Sequence, residues 1–365
     1  MNKWMVCCAT IVFCHIYPAE KPQKREPAVL ERKAPNNNML SIEAIDFNYD
    51  GSLIAIGGHG FDSHLNILQV SNFKNILPYK ETRDIITYVK FGKKSNLLLS
   101  CRQNGKMVLS NLQSDKEINP GIGNFDRISV VNFSNDDKKF LIGSHGRSYK
   151  NLVICRAKDT KITKLDGHKD KIIDALFNED ATKVFSMSYD YSNIHCFKGW
   201  DVETGTLVFT ALIEHFALTR CVAALMHGGP GFFQYCQTNK TLKYHFFKRI
   251  EEKEEIVLDC QESFDMIKII DNVYKCYIIG IGVNSGDGKA LEICFFNKND
   301  GKKVFILKPK TEISTTNYIA YNPINRTLAL EKRTDLILLT LPSEQDLTIH
   351  ENNKNVLEGW VNLVT

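Results

Sequence analysis

Residues 42–58 read IEAIDFNYDGSLIAIGG. Apolar and polar residues alternate from Ile42 to Phe47, turn formers follow from Asn48 to Gly51, and a second apolar run ends at a glycine pair. Alternation at period two marks a β-strand. Asn and Asp bond their own backbone and Gly accepts positive φ, so the tetrapeptide reverses the chain at low cost. The stretch is therefore a β-hairpin. The pattern returns as IITYVKFGKKSNLLLSC (85–101), ISVVNFSNDDKKFLIGS (128–144) and KIIDALFNEDATKVFSMS (171–188). The aromatics that close the first strand of each copy are Phe47, Phe91, Phe133 and Phe177, spaced 44, 42 and 44 residues apart. Fainter copies centre on Leu225, Ile270 and Tyr321, at intervals of 48, 45 and 51.

Each copy has room for about four strands. In the first they are expected at 41–47, 52–58, 64–70 and about 73–77. A single four-stranded sheet cannot bury both of its faces, but radial stacking of neighbours does so, and closing the ring leaves only short edges. A repeat of this length predicts an all-β chain folded as a seven-bladed β-propeller of four-stranded antiparallel blades.

The expected organisation is a signal peptide over 1–19, a linker over 20–39, the propeller over 40–352 and a C-terminal tail over 353–365. Lys3 precedes an apolar stretch, WMVCCATIVFCHIYPA, which is short for a membrane span and suits a secretory signal that directs export to the periplasm or outside the cell. An uncleaved anchor is the competing reading of that segment. No other stretch is apolar enough to span, so the mature chain is expected to lack a membrane span. Two segments compete to close the ring as an outer strand: AVLERK (28–33) and DLTIHEN (346–352).

Of the eleven cysteines, Cys7, Cys8 and Cys14 lie in the signal. None of the other eight forms a C-x-x-C pair, and most sit singly in apolar runs such as LVICRA, as buried thiols do. Buried thiols are expected, with disulfides as the alternative in an exported chain. The net charge is +4, from 46 cationic and 42 anionic residues that are interspersed, which gives no electrostatic basis for nucleic-acid binding.

The fourth copy, DGHKDKIIDALFNEDATKVFSMSYDYSNIHCFKGWDVETGTLV (166–208), resembles a WD-type (WD40) repeat. Gly167-His168 opens it, Trp200-Asp201 stands near its end, and a VETG turn follows. The likeness is specific in this copy, best over 166–205, and extends over about 40–345 only as period and strand pattern. It implies a hydrogen-bonded tetrad of His168, Ser186 or Ser188, Asp190 and Trp200. Ten residues separate Asp190 from Trp200, more than the family pattern has, so a bulged third strand or a longer turn before it is expected.

No sequence motif for chemistry survives inspection. HGGPGFF (227–233) lacks a G-x-S-x-G partner motif and reads as a Gly-rich turn. GIGVNSGDGK (280–289) has neither the glycine nor the Ser or Thr of a phosphate loop and reads as a hairpin. EEKEE (251–255) reads as a solvated loop between the third and fourth strands of the fifth copy. His59 in GGHG and His145 in GSHG fall at matching places, and with Arg102, Arg147 and Tyr189 they are expected on one loop face. The expected function is a non-catalytic, monomeric scaffold that takes a protein or peptide partner on that face. No cofactor or metal is expected. The alternative is a hydrolase or lactonase-like propeller enzyme with a site in the central channel.

Overall fold

The computed structural model describes residues 32–33 and 39–352, apart from 61–63, 77–83, 115, 119–124, 126, 145–151, 190–193, 215–220, 226–230, 237–240, 250–251, 259–263, 271–276, 285–290, 308–317 and 333–334. The expected signal and tail lie outside the described residues.

Strand β1 (Arg32–Lys33) comes first. The first sheet holds β2 (Met39–Phe47), β3 (Leu53–Gly60) and β4 (Leu65–Gln69). The second holds β5 (Ile86–Phe91), β6 (Leu97–Arg102), β7 (Met107–Asn111) and β8 (Lys116–Ile118). In the third are β9 (Ile128–Phe133), β10 (Lys139–Ser144), β11 (Leu152–Arg156) and β12 (Ile162–Lys164). The fourth comprises β13 (Ile172–Phe177), β14 (Lys183–Tyr189), β15 (Ile194–Asp201) and β16 (Leu207–Glu214). The fifth comprises β17 (Cys221–Leu225), β18 (Gly231–Cys236), β19 (Thr241–Arg249) and β20 (Glu252–Leu258). The sixth comprises β21 (Phe264–Ile270), β22 (Tyr277–Asn284), β23 (Leu291–Asn297) and β24 (Lys303–Leu307). The seventh joins β25 (Ile319–Asn322), β26 (Thr327–Lys332) and β27 (Asp335–Thr340) to β1, which pairs with the outer side of β27. Helix α1 (Glu344–Asn352) follows. All pairings within the sheets are antiparallel between chain neighbours, except that of β1 with β27, which joins the two ends of the described chain.

Three expectations change. Residues 73–77 do not form a fourth strand in the first sheet: the described part makes one isolated bridge, Leu68 to Asn75, because Phe73 takes positive φ and turns the chain. DLTIHEN (346–352) lies in α1 rather than in a closing strand; Asp346 accepts from the Ser343 amide at 2.8 Å and caps that helix. Glu252–Glu255 belong to β20, not to a loop. As the outer strand of its sheet, β20 has one side free of a partner strand among the described residues, where charge is tolerated and discourages further pairing.

The four anchor aromatics end β2, β5, β9 and β13, and all are buried. The repeat also appears as a shared defect. The ladder between the first two strands slips next to Ile42, Ile86, Ile128 and Ile172, the same place in four successive sheets. Such a bulge sharpens the local twist. On the second strands Gly57, Ser100, Gly143 and Ser186 recur every 43 residues, and each is buried. A Cβ on Gly57 would lie 2.5 Å from Ile86 Cγ2, and one on Gly143 would lie 2.8 Å from Ile172 Cγ2. Glycine at these two positions lets the next sheet approach.

The apolar core lies between the sheets. Ala55, Leu65 and Ile67 of the first pack on Ile86, Val89 and Phe91 of the second. Leu141, Leu152 and Ile154 of the third pack on Ile172, Phe177 and Trp200 of the fourth. Tyr277, Ile279 and Phe295 of the sixth pack with Leu328 and Leu330 of the seventh, and Ala320, Ala329 and Leu338 of the seventh pack with Ile42, Ile45 and Phe47 of the first.

Polar side chains stitch the same junctions. Asp46 accepts from the Phe91 amide at 2.8 Å and from Lys90 Nζ at 3.0 Å. Asp137 accepts from the amides of Lys93 and Lys94 and from Ser95 Oγ, at 2.6, 2.8 and 2.7 Å. Asn132 Nδ2 donates to Ala175 O at 2.7 Å. Between the seventh and first sheets, the Tyr318 hydroxyl donates to Glu43 Oε2 at 2.7 Å.

Candidate functional site

Two arrangements carry the residues singled out in the sequence. One is the interior of the fourth sheet. The Trp200 ring is fully buried and its Nε1–H donates to Ser186 Oγ at 2.7 Å. Ser186 Oγ lies 2.6 Å from His168 Nε2. An indole nitrogen only donates, so Ser186 accepts from it and turns its own hydrogen to His168 Nε2; the imidazole proton then sits on Nδ1. Burial, and then the charge of Lys198, hold the His168 pKa down at about 3, so the ring is neutral at physiological pH. His168 and Trp200 meet edge to face, with ring centroids 5.7 Å apart. Gly167 has φ +153°, and a Cβ there would come within 3.1 Å of the Trp200 ring, which gives the Gly-His dipeptide a physical reason.

Of the two serines offered by the sequence, Ser186 takes this position. Ser188 is also buried but stands opposite Cys196 in the ladder. Asp190 lies outside the described residues. The long interval before Trp200 does not bulge β15 against β14: their register runs unbroken from Lys183↔Asp201 to Tyr189↔His195. Longer strands absorb part of the interval, and the one slip, at Gly199 and Trp200, is against β16. Asp201 accepts from Lys183 Nζ at 2.9 Å and from the Glu203 and Thr204 amides, which fixes the turn after Trp200 and holds the carboxyl below its usual range.

The second arrangement is an open cleft of about 390 Å³ between the first and second sheets, lined by His59, Asp84, Ile85, Gln103 and Asn104. His59 is exposed near the end of β3, and its ring stacks on that of His64 with centroids 5.6 Å apart. Arg102 ends β6, and its Nη1 lies 3.6 Å from Asp84 Oδ2. Asn104 Nδ2 donates to the same oxygen at 2.9 Å. The Asn104-Gly105 turn is held against the chain leading to the third sheet, since a Cβ on Gly105 would meet Phe125 O at 2.4 Å. The cleft therefore presents an imidazole pair, a carboxylate tied to a guanidinium, and two exposed amide side chains.

His59 and Arg102 thus meet around one cleft, linked through Asp84. Tyr189 ends β14 in the fourth sheet, and His145 and Arg147 lie outside the described residues. Nothing in the sequence marks Asp84, which precedes β5, whereas the Asn-Gly dipeptide at 104–105 is a visible turn signal.

Among the described residues, no three His, Cys, Asp or Glu side chains converge as metal ligands, and no helix is long and apolar enough to cross a membrane. Cys101, Cys155, Cys196 and Cys294 are free thiols. Burial, with a smaller contribution from Asp159, pushes the Cys155 thiol up to about 12, so it stays protonated and unreactive. No protein-family model matches the chain, and no curated protein matches it.

Proposed function

We propose that the seven sheets are the blades of a seven-bladed, WD-like β-propeller and that the chain is an exported, non-catalytic scaffold binding a protein or peptide partner on one loop face. The return of the seventh sheet to the first, and the pairing of β1 with β27, support the closed ring. The His168–Ser186–Trp200 network supports the WD-like reading of the fourth blade, as a structural feature and not as chemistry: all three groups are buried or nearly so, and the imidazole is held neutral.

The observation that carries the binding role is the cleft at His59 and Arg102. It is open, mixed in charge, and built from the ends of strands and the turns that join them. A rigid sheet stack that offers such loops is a platform for recognition rather than for bond making. The test is affinity capture by the mature chain, compared with a variant carrying Ala at His59, Arg102, His145, Arg147 and Tyr189. The proposal expects a partner retained by the parent and lost by the variant, with unfolding midpoints matched. Retention of the same proteins by both overturns the face assignment.

A further inference from the structure

The outermost strand of a sheet presents backbone donors and acceptors to solvent, and natural sheets blunt such edges. Most of the outer strands here follow that rule. β1 is Arg32-Lys33; β8 and β12 have three residues each and carry Lys116, Glu117 and Lys164; β20 carries Glu252 to Glu255; β24 starts at Lys303. The first sheet ends in a single bridge. Strand β16 departs from all of them. It is eight residues long, has no proline, and has no charge before Glu214. Leu212 is 66% exposed, Leu207 45% and Val208 44%, while Phe209 and Ala211 pack against the apolar cluster of Phe185 and Phe197. Among the described residues β16 pairs only with β15.

We infer that β16 is a self-association edge: two copies of the chain pair antiparallel along β16 across a two-fold axis at Thr210. A second copy fits because the segment is complementary to its own reverse. In that register Val208 stands across from Leu212, Phe209 from Ala211, Leu207 from Ile213, and Thr210 from its own copy. Large residues meet small or apolar ones, and the charged Glu214 falls opposite Thr206 rather than another carboxylate. The pairing covers Val208 and Leu212 on one face and joins two four-stranded sheets into one of eight. One strand edge is small beside the roughly 1,600 Å² of a standard interface, so the dimer forms only as concentration rises. The edge is separate from the His59 cleft, and this inference does not depend on the partner-binding role.

Sedimentation of the full chain over a wide concentration range tests it. The expected result is a shift from one chain mass towards two, abolished by Leu212→Lys, a change at an exposed site that leaves the unfolding midpoint in place. Thr210→Cys supplies a second reading. Cα atoms directly opposed in an antiparallel pair are about 4.5–5.5 Å apart, within disulfide range. Under air oxidation Thr210→Cys is expected to give a covalent dimer on a non-reducing gel, and Lys164→Cys on the third sheet's edge is not. A parent chain that stays monomeric throughout overturns the inference and leaves the edge to a foreign strand. So does a Leu212→Lys chain that associates like the parent, or a Thr210→Cys chain that cross-links no faster than Lys164→Cys. Ala at His59 and Arg102 leaves the dimer unchanged.

Discussion

The Tyr318 hydroxyl donates a 2.7 Å hydrogen bond to the Glu43 carboxylate across 275 residues of chain, and so ties the seventh sheet to the first. Burial, then Glu43 itself, raises the tyrosine pKa, so the hydroxyl keeps its proton across the physiological range. A hydrogen bond to a charged group contributes about 1.5–3 kcal/mol. Tyr318→Phe should therefore lower the urea unfolding free energy by roughly that amount with an unchanged slope. A loss within error of zero would mean that the contact is solvent-screened and holds nothing together.

Ser186 serves two buried neighbours at once. Ser186→Ala leaves the Trp200 indole N–H without its acceptor and His168 Nε2 without its donor, each costing about 1–3 kcal/mol. Trp200→Phe, which removes the indole nitrogen together with its need for an acceptor, should cost less than Ser186→Ala if hydrogen bonding dominates at this position. Chemical denaturation of the two variants and their double mutant decides it; strict additivity would contradict a shared network.

Acid should weaken the fold through His168. Its folded pKa, about 3, lies below the ordinary value of 6.5, so between those limits the unfolded chain binds the extra proton. Stability is then complete above about pH 6.5 and falls as pH drops towards 3, with a slope approaching about 1.4 kcal/mol per unit for one proton. The difference between the stability profiles of the parent and His168→Gln should show this one-proton slope. Parallel profiles through that window would show that the imidazole is already protonated or exposed.

The glycine contact between the first two sheets is also testable. In Gly57→Ala the new methyl would sit 2.5 Å from Ile86 Cγ2, an overpacking worth about 1–3 kcal/mol. Ile86→Ala alone opens a cavity, at about 2–5 kcal/mol. Together they should cost clearly less than their sum, because each relieves the other. Thermal unfolding of the three variants checks this, and simple addition would argue against close approach at that junction.

Much of the fold is legible from the repeated hairpins, because an aromatic at the end of a first strand and an Asn/Asp/Gly turn after it are local signals. Phe47, Phe91, Phe133 and Phe177 fall where the sequence puts them. The 43-residue series Gly57, Ser100, Gly143 and Ser186 is equally present in the sequence, but its meaning depends on how closely the next sheet packs. The outer strands are harder to read. They are short or charged because they are edges, so Glu252–Glu255 resembles a loop and Asp346–Asn352 resembles a strand. The cleft is the least legible feature. Arg102 and His59 stand out by type, but Asp84 becomes part of the site only through contacts between two sheets.

Native-state hydrogen exchange, resolved by residue, tests most directly whether the seven sheets close on themselves. In an open stack the terminal sheets lack a neighbour and fray first, whereas in a closed ring each sheet has two. The closed arrangement predicts that amides of β3 in the first sheet and β26 in the seventh are protected as strongly as those of β10 in the third, and that Tyr318→Phe lowers protection in both terminal sheets together. Protection that falls away steadily from the middle of the chain towards β3 and β26, with no coupled response to Tyr318→Phe, would contradict it.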